Sequence, residues 1–109
     1  MIVEYIRYSI DEGARAAFEA DYALAATSLS ASEHCLGYEL AVCVEQPSEY
    51  VLRIEWDSAD GHLQGFRKSP GFRDFFSRIK PYVTAIQEMR HYTPTSLQYA
   101  RIDATTPAV

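Results

Sequence analysis

CLGYELAVCVEQPSEYVLRIEW, Cys35 to Trp56, decides the fold. Leu36, Tyr38, Leu40, Val42 and Val44 alternate with Gly37, Glu39, Ala41, Cys43 and Glu45, the two-residue period of a strand with one buried face. Beyond Gln46, Pro47, Ser48 and Glu49, Tyr50, Leu52, Ile54 and Trp56 alternate in the same way with Val51, Arg53 and Glu55. Pro47 has a fixed φ and no backbone N–H, so it belongs in a turn and not in a ladder. Two antiparallel strands joined by a short turn therefore occupy the middle of the chain.

Upstream, MIVEYIRYSI is rich in β-branched and aromatic residues and reads as a first strand. Asp11 then stands at a helix N-cap, with Glu12 favourable in the first turn. From Gly13 to about Leu29, the residues Ala14, Phe18, Tyr22, Ala25 and Leu29 recur at three- and four-residue spacing, which predicts one amphipathic helix. Downstream, a short helix is expected over Ser58 to Lys68, with Asp57 or Ser58 as its cap. Ser-Pro-Gly interrupts it, and a second helix over Gly71 to Tyr82 presents Phe72, Phe75, Phe76 and Ile79. Pro81 ends that helix, and Tyr82, Val83, Thr84 and Ile86 favour extended chain, so YVTAIQEMRHY is read as a fourth strand. The domain spans 1–93, and 94–109 read as a loose tail or an arm on a neighbour.

The order β-α-β-β-α-β is that of an α+β, ferredoxin-like split βαβ fold: a four-stranded antiparallel sheet with both helices on one face. The opposite face carries Val3, Tyr5, Arg7, Val51, Arg53 and Glu55. It is too apolar, and too rich in opposite charges, for plain solvent surface. A second copy stacking sheet on sheet would cover it, giving a homodimeric α/β barrel. Arg7, Arg53 and Arg90 beside Glu4, Glu39, Glu55 and Glu88 read as cross-strand pairs that fix this architecture.

Composition narrows the function. A net charge of −5, with Lys and Arg scattered, argues against nucleic acid or an anionic membrane as partner. The apolar runs are too short for a bilayer span, and the N-terminus lacks the pattern of a signal peptide, so the cytoplasm is the expected compartment. Cys35 and Cys43 are eight residues apart in one predicted strand. That places them about 26 Å apart at about 3.3 Å per residue, beyond disulfide reach of about 7 Å. Both are read as small buried hydrophobes. The three histidines, His34, His62 and His91, have no local metal-ligand spacing, so no metal site is predicted. Nucleotide-binding and serine-hydrolase motifs are also missing.

Three short motifs carry a family resemblance over residues 1–93: Ile54-Glu55-Trp56 closing a strand, Ser69-Pro70-Gly71-Phe72 opening a helix, and Arg90-His91-Tyr92 closing the last strand. Together they resemble the antibiotic biosynthesis monooxygenase superfamily. The run GFRKSPGFRDFF…PY…EMRHY is most similar to domains found beside, or fused to, truncated haemoglobins. The resemblance implies a dimeric α+β barrel. It also implies oxidation of quinols or polycyclic phenols by molecular oxygen without a cofactor, or, in another branch, haem degradation. Many members carry histidines at the positions of Phe66 and Gly71 here, which sets this chain apart. The haem-degrading branch uses a tryptophan and a histidine that align with Gly65 and Phe76, and an asparagine on the first strand, where this chain has none. Haem breakdown by that route is not expected.

His62 is the candidate catalytic base. It lies one turn before Phe66, so both project from one side of the short helix. A neutral imidazole with an ordinary pKa of about 6.5 suits removal of a phenolic proton. Tyr8, Tyr22 and Tyr38 lie on the apolar stripes of their elements and are read as three hydroxyls converging on a planar, hydroxylated ligand. Trp56, Phe66, Phe72 and Phe76 would complete the wall. Phe72, Phe75, Phe76 and Ile79 are core by spacing. His91 projects opposite to Arg90 and Tyr92, toward a possible dimer seam, and His34 is read as exposed. Two functions stay open. One is a cofactor-independent monooxygenase acting on a small aromatic substrate. The other is a non-catalytic ligand-binding or accessory domain, linked to a haem protein.

Overall fold

Strand β1 (Ile2–Ser9) is central in the computed structural model, which describes residues 1–101. Helix α1 (Arg15–Ser30) follows, then β2 (Cys35–Val42), β3 (Glu49–Trp56), α2 (Pro70–Ile79) and β4 (Ile86–Tyr92). The four strands form one antiparallel sheet in the order β2-β3-β1-β4. This is the α+β, ferredoxin-like arrangement that the element order predicts.

Register sorts the side chains. Ile6 faces Leu52, and Glu4 faces both Ile54 on β3 and His91 on β4. Burial alternates along β3, with Tyr50, Leu52, Ile54 and Trp56 buried, so one face of the sheet meets the helices. Phe18, Tyr22, Ala25 and Leu29 from α1 and Phe75 and Ile79 from α2 close over that face as a single core. Each large apolar side chain so buried contributes about 1.5–3 kcal/mol. On the opposite face Tyr5 stands across from Arg53 and meets Tyr92 edge to face at 5.4 Å.

Several local predictions change. Helix α1 begins at Arg15 behind a 3₁₀ turn, Glu12–Ala14, and Asp11 makes no side-chain cap. Tyr82, Val83 and Thr84 lie in a 3₁₀ turn, Lys80–Ala85, so β4 starts only at Ile86. Pro81 at the start of that turn has no N–H to lose, and the tight turn carries the chain from α2 into β4. The expected short helix over 58–68 is instead a π-helical turn, Gly61–Gly65, followed by a 3₁₀ turn, Phe66–Lys68. Ser69 does cap α2, accepting from the Phe72 N–H at 3.4 Å, with Pro70 at the first helical position.

Cys35 lies in β2 and Cys43 just past its end; both are free thiols and half-buried, not fully buried. Residues 94–101 form no helix or strand, and the rest of the predicted tail lies outside the described residues. Among the described residues no helix is long and apolar enough to cross a membrane.

Candidate active site

Two glycines make the π turn possible. A Cβ at Gly61 would stand 1.9 Å from Asp57 Oδ1, and one at Gly65 would stand 2.5 Å from the His34 ring. Behind the turn, His34 Nδ1 and Asp57 Oδ2 are 2.9 Å apart, and this bond holds the Asp57 carboxyl below the usual carboxylate range. His34 is therefore half-buried and bracing, not exposed as predicted. The Gly61 N–H donates to Ser58 Oγ at 2.8 Å and the His62 N–H to the Ser58 carbonyl at 3.2 Å. Single π turns widen a helix and re-aim one side chain. Here the side chain aimed inward is His62, only 3% exposed.

The His62 ring lies flat on Trp56. Its Nδ1 is 2.8 Å from His91 Nε2, and its Nε2 receives the Arg67 Nε–H at 3.3 Å. Arginine only donates, so in the neutral ring Nε2 is the acceptor and Nδ1 carries the proton. His62 therefore donates to His91. Burial, followed by the charges of Arg67 and His91, pulls the His62 pKa down to about 4, and the ring is neutral at neutral pH. Glu4, 2% exposed, accepts from Trp56 Nε1–H at 3.1 Å through Oε1, which also stands 3.6 Å from His62 Nε2. Its other oxygen is 3.8 Å from His91 Nε2. Burial raises the Glu4 pKa against the opposing pull of Trp56, His91 and Arg67.

Of these groups Glu4, Trp56, His62 and Arg67 line one end of an apolar cavity of about 200 Å³ between the sheet and α2. Trp56, Phe66, Phe72 and Phe76 line it with His62, as the sequence suggests, and so do Tyr8 and Tyr22. The two tyrosine hydroxyls bond each other, and burial raises the Tyr8 pKa to about 12 and the Tyr22 pKa further still. Tyr38 is not brought there. It is 44% exposed on β2, an edge strand that the helices cover poorly, and it lines a separate hollow beside Leu40 and Leu52. Phe76 also departs from its assignment to the core: at 37% exposure it forms the cavity rim, while Phe75 and Ile79 are buried.

Glu4, His91 and Arg67 were not foreseen at this site. Glu4 is no partner of the outer-face arginines, because β1 turns it inward with Ile6 and Tyr8. The pairs that do form outside are Arg7–Glu49 at 3.6 Å, Arg53–Glu55 at 3.0 Å and Arg90–Glu88 at 3.6 Å. Strict alternation in VEYIRYS was the available signal: it puts a carboxylate on the core stripe. Two of the histidines, which show no metal-ligand spacing along the chain, come together with Glu4 in the fold. Glu4, His62 and His91 each offer a ligand atom within 4.8 Å of the others. Spacing rules see only neighbours along one element, and this cluster draws on β1, the π turn and β4.

Residues 1–78 match the family model described as "Antibiotic biosynthesis monooxygenase". YczJ of Bacillus subtilis, an uncharacterised protein, is 26% identical over 92 residues, covering 84% of this chain and 97% of its own. A Bordetella bronchiseptica structure, whose name places it among the same monooxygenases, is 28% identical. It covers 86% of this chain and 96% of its own at a TM-score of 0.70. SnoaB from Streptomyces nogalater, a cofactor-independent oxygenase solved as a mutant, superposes at a TM-score of 0.68 with 19% identity. It covers 90% of this chain and 94% of its own, and at that identity the likeness speaks for fold alone. On the family match, supported by the shared fold, this chain belongs to the antibiotic biosynthesis monooxygenase family.

Proposed function

We propose that the protein is a cofactor-independent monooxygenase that oxidises a small quinol or polycyclic phenol with molecular oxygen, with His62 as the base. The observation that carries this reading is a neutral, buried imidazole at the polar end of an aromatic cavity. A planar ring enters the cavity that Trp56, Phe66 and Phe72 line with His62, and its hydroxyl takes the place of Arg67 on His62 Nε2. As the proton moves to Nε2, Nδ1 passes its own proton to His91, whose side chain is 29% exposed and opens the relay to water. Arg67, released, turns its charge toward the new phenolate.

The magnitudes allow this. Moving a proton from a phenol of pKa about 10 to an imidazole of pKa about 4 costs about 8 kcal/mol. A turnover of about 10 s⁻¹ corresponds to a barrier of about 16 kcal/mol, so the transfer fits within it. The electron-rich anion then reduces oxygen and joins it at carbon as a peroxide. Loss of that carbon's C–H proton breaks the O–O bond. One oxygen stays as a carbonyl and the other leaves as hydroxide, which takes up a proton as water, so a phenolic O–H, a ring C–H and O₂ become two carbonyls and H₂O.

The working unit is a homodimer in which a second copy covers the sheet face bearing Tyr5, Val51, Arg53 and Tyr92. Tyr5 and Tyr92 are 36% and 46% exposed there, and the arginines and glutamates beside them suit a self-complementary contact.

A second reading, a binding module without turnover, is favoured by Phe66 and Gly71, which stand where many members of the family carry histidines. Oxygen uptake with a panel of hydroquinones and anthrones separates the two. Saturable uptake supports the enzyme, whereas ligand-induced spectral change without uptake supports the binder.

A further inference from the structure

We infer that Glu4, His62 and His91 form a binding site for one borderline divalent transition-metal ion, of which Zn²⁺ is the probe of choice. Two imidazoles and one carboxylate are a donor set that suits zinc and the metals near it in the affinity series. Bonds of about 2.0–2.1 Å in a tetrahedral site put neighbouring ligand atoms about 3.3 Å apart. His62 Nδ1 and His91 Nε2 are 2.8 Å apart, and Glu4 Oε2 is 3.8 Å from His91 Nε2. All three ligand atoms lie within 4.8 Å of one another, so shifts of at most about 1.5 Å close the difference, and Glu4 and His91 already face each other in the β1–β4 ladder.

Burial supplies the second argument. Glu4 is a nearly inaccessible carboxylate whose contact within hydrogen-bond distance is the neutral Trp56 N–H. A buried carboxylate is normally paired with a cation or bound to a metal. An ion that replaces the proton between His62 and His91 would neutralise it. The cavity lined by Glu4 and His62 leaves room for a fourth, exogenous ligand.

Arg67 opposes the ion and makes the arrangement testable. With metal on Nδ1, His62 must carry its proton on Nε2, which then confronts the Arg67 donor at 3.3 Å. Removing that guanidinium should strengthen binding.

The full-length protein, stripped with chelator, is titrated with Zn²⁺ against a chromophoric competitor, and with Co²⁺ for its ligand-field absorption. One ion per chain is expected, with tetrahedral Co²⁺ intensity. Glu4→Gln, which keeps an acceptor for Trp56, and His91→Ala, at an exposed position, should each weaken Zn²⁺ at least 100-fold. Arg67→Gln should tighten it about tenfold. Binding that survives both ligand variants, binding by wild type no tighter than by His91→Ala, or weaker binding by Arg67→Gln would overturn the site. None of these readouts uses turnover, so the oxygenase reading, which needs His62 free of metal, is tested separately.

Discussion

The His62 ring is stacked on the Trp56 indole with centroids 4.3 Å apart and planes within 5°. The same indole donates its N–H to Glu4. Trp56 thus fixes both the base and the carboxylate behind it, and one residue at the end of β3 sets the geometry of the whole polar end. Trp56→Phe keeps an aromatic surface and removes the donor. It should destabilise the fold by about 1–3 kcal/mol, the cost of leaving a buried acceptor without its partner. A urea midpoint that falls at constant slope would show this; an unmoved midpoint would mean the bond contributes nothing.

A glycine of the π turn and one outside it make a sharper contrast. Gly61→Ala drives a Cβ into Asp57 and against His34, so the His34–Asp57 bond must give way. A loss of about 1–3 kcal/mol is expected, together with a displaced His62. Gly13→Ala meets nothing within 4 Å and should be neutral or slightly stabilising. Equal effects at the two positions would show that the turn is not held by close packing.

At alkaline pH the buried tyrosine pair should announce itself. Tyr8 keeps its proton until about pH 12 and Tyr22 beyond that, while unfolded tyrosines lose theirs near pH 10. Between about pH 10 and 12 the native state therefore holds more protons than the unfolded one. Stability falls as pH rises through that window, by about 1.4 kcal/mol per pH unit for each group. A phenolate absorbance titration of the native protein should show late-titrating tyrosines, and Tyr8→Phe should remove one of them. If that variant instead loses an early-titrating phenol, the assignment is wrong.

The proposed dimer face is tested by a single charge. Val51 pairs with Arg7 across the ladder, in the outer-face hollow with Tyr5 and Tyr92. Val51→Glu on this face should shift the protein to monomer in sedimentation velocity without loss of its circular dichroism. A variant that stays dimeric would place the contact elsewhere.

How much was legible follows from the range of each signal. Strand alternation in β1 and β3, and the helical stripe of Phe18, Tyr22 and Leu29, are local patterns, so the topology could be read directly. His62, Trp56 and Phe66 could also be read, because they lie within a few residues of one another. Tyr38 misled, since alternation tells which face a residue is on but not whether a helix covers that part of the sheet. Glu4 and His91 were missed for the opposite reason: their meeting depends on β1–β4 register, which no local pattern encodes. The π turn was read as helix because its departure from α geometry is set by the contacts of Gly61 and Gly65 with Asp57 and His34, across the chain.

The central claim, that His62 performs the proton abstraction, is tested most directly by oxygen uptake of chelator-treated wild type and His62→Ala with hydroquinones and anthrones. Saturable uptake by wild type is expected, falling at least about 100-fold in the variant while its fold and assembly persist. No uptake by wild type across the panel, or undiminished turnover in His62→Ala, would contradict it.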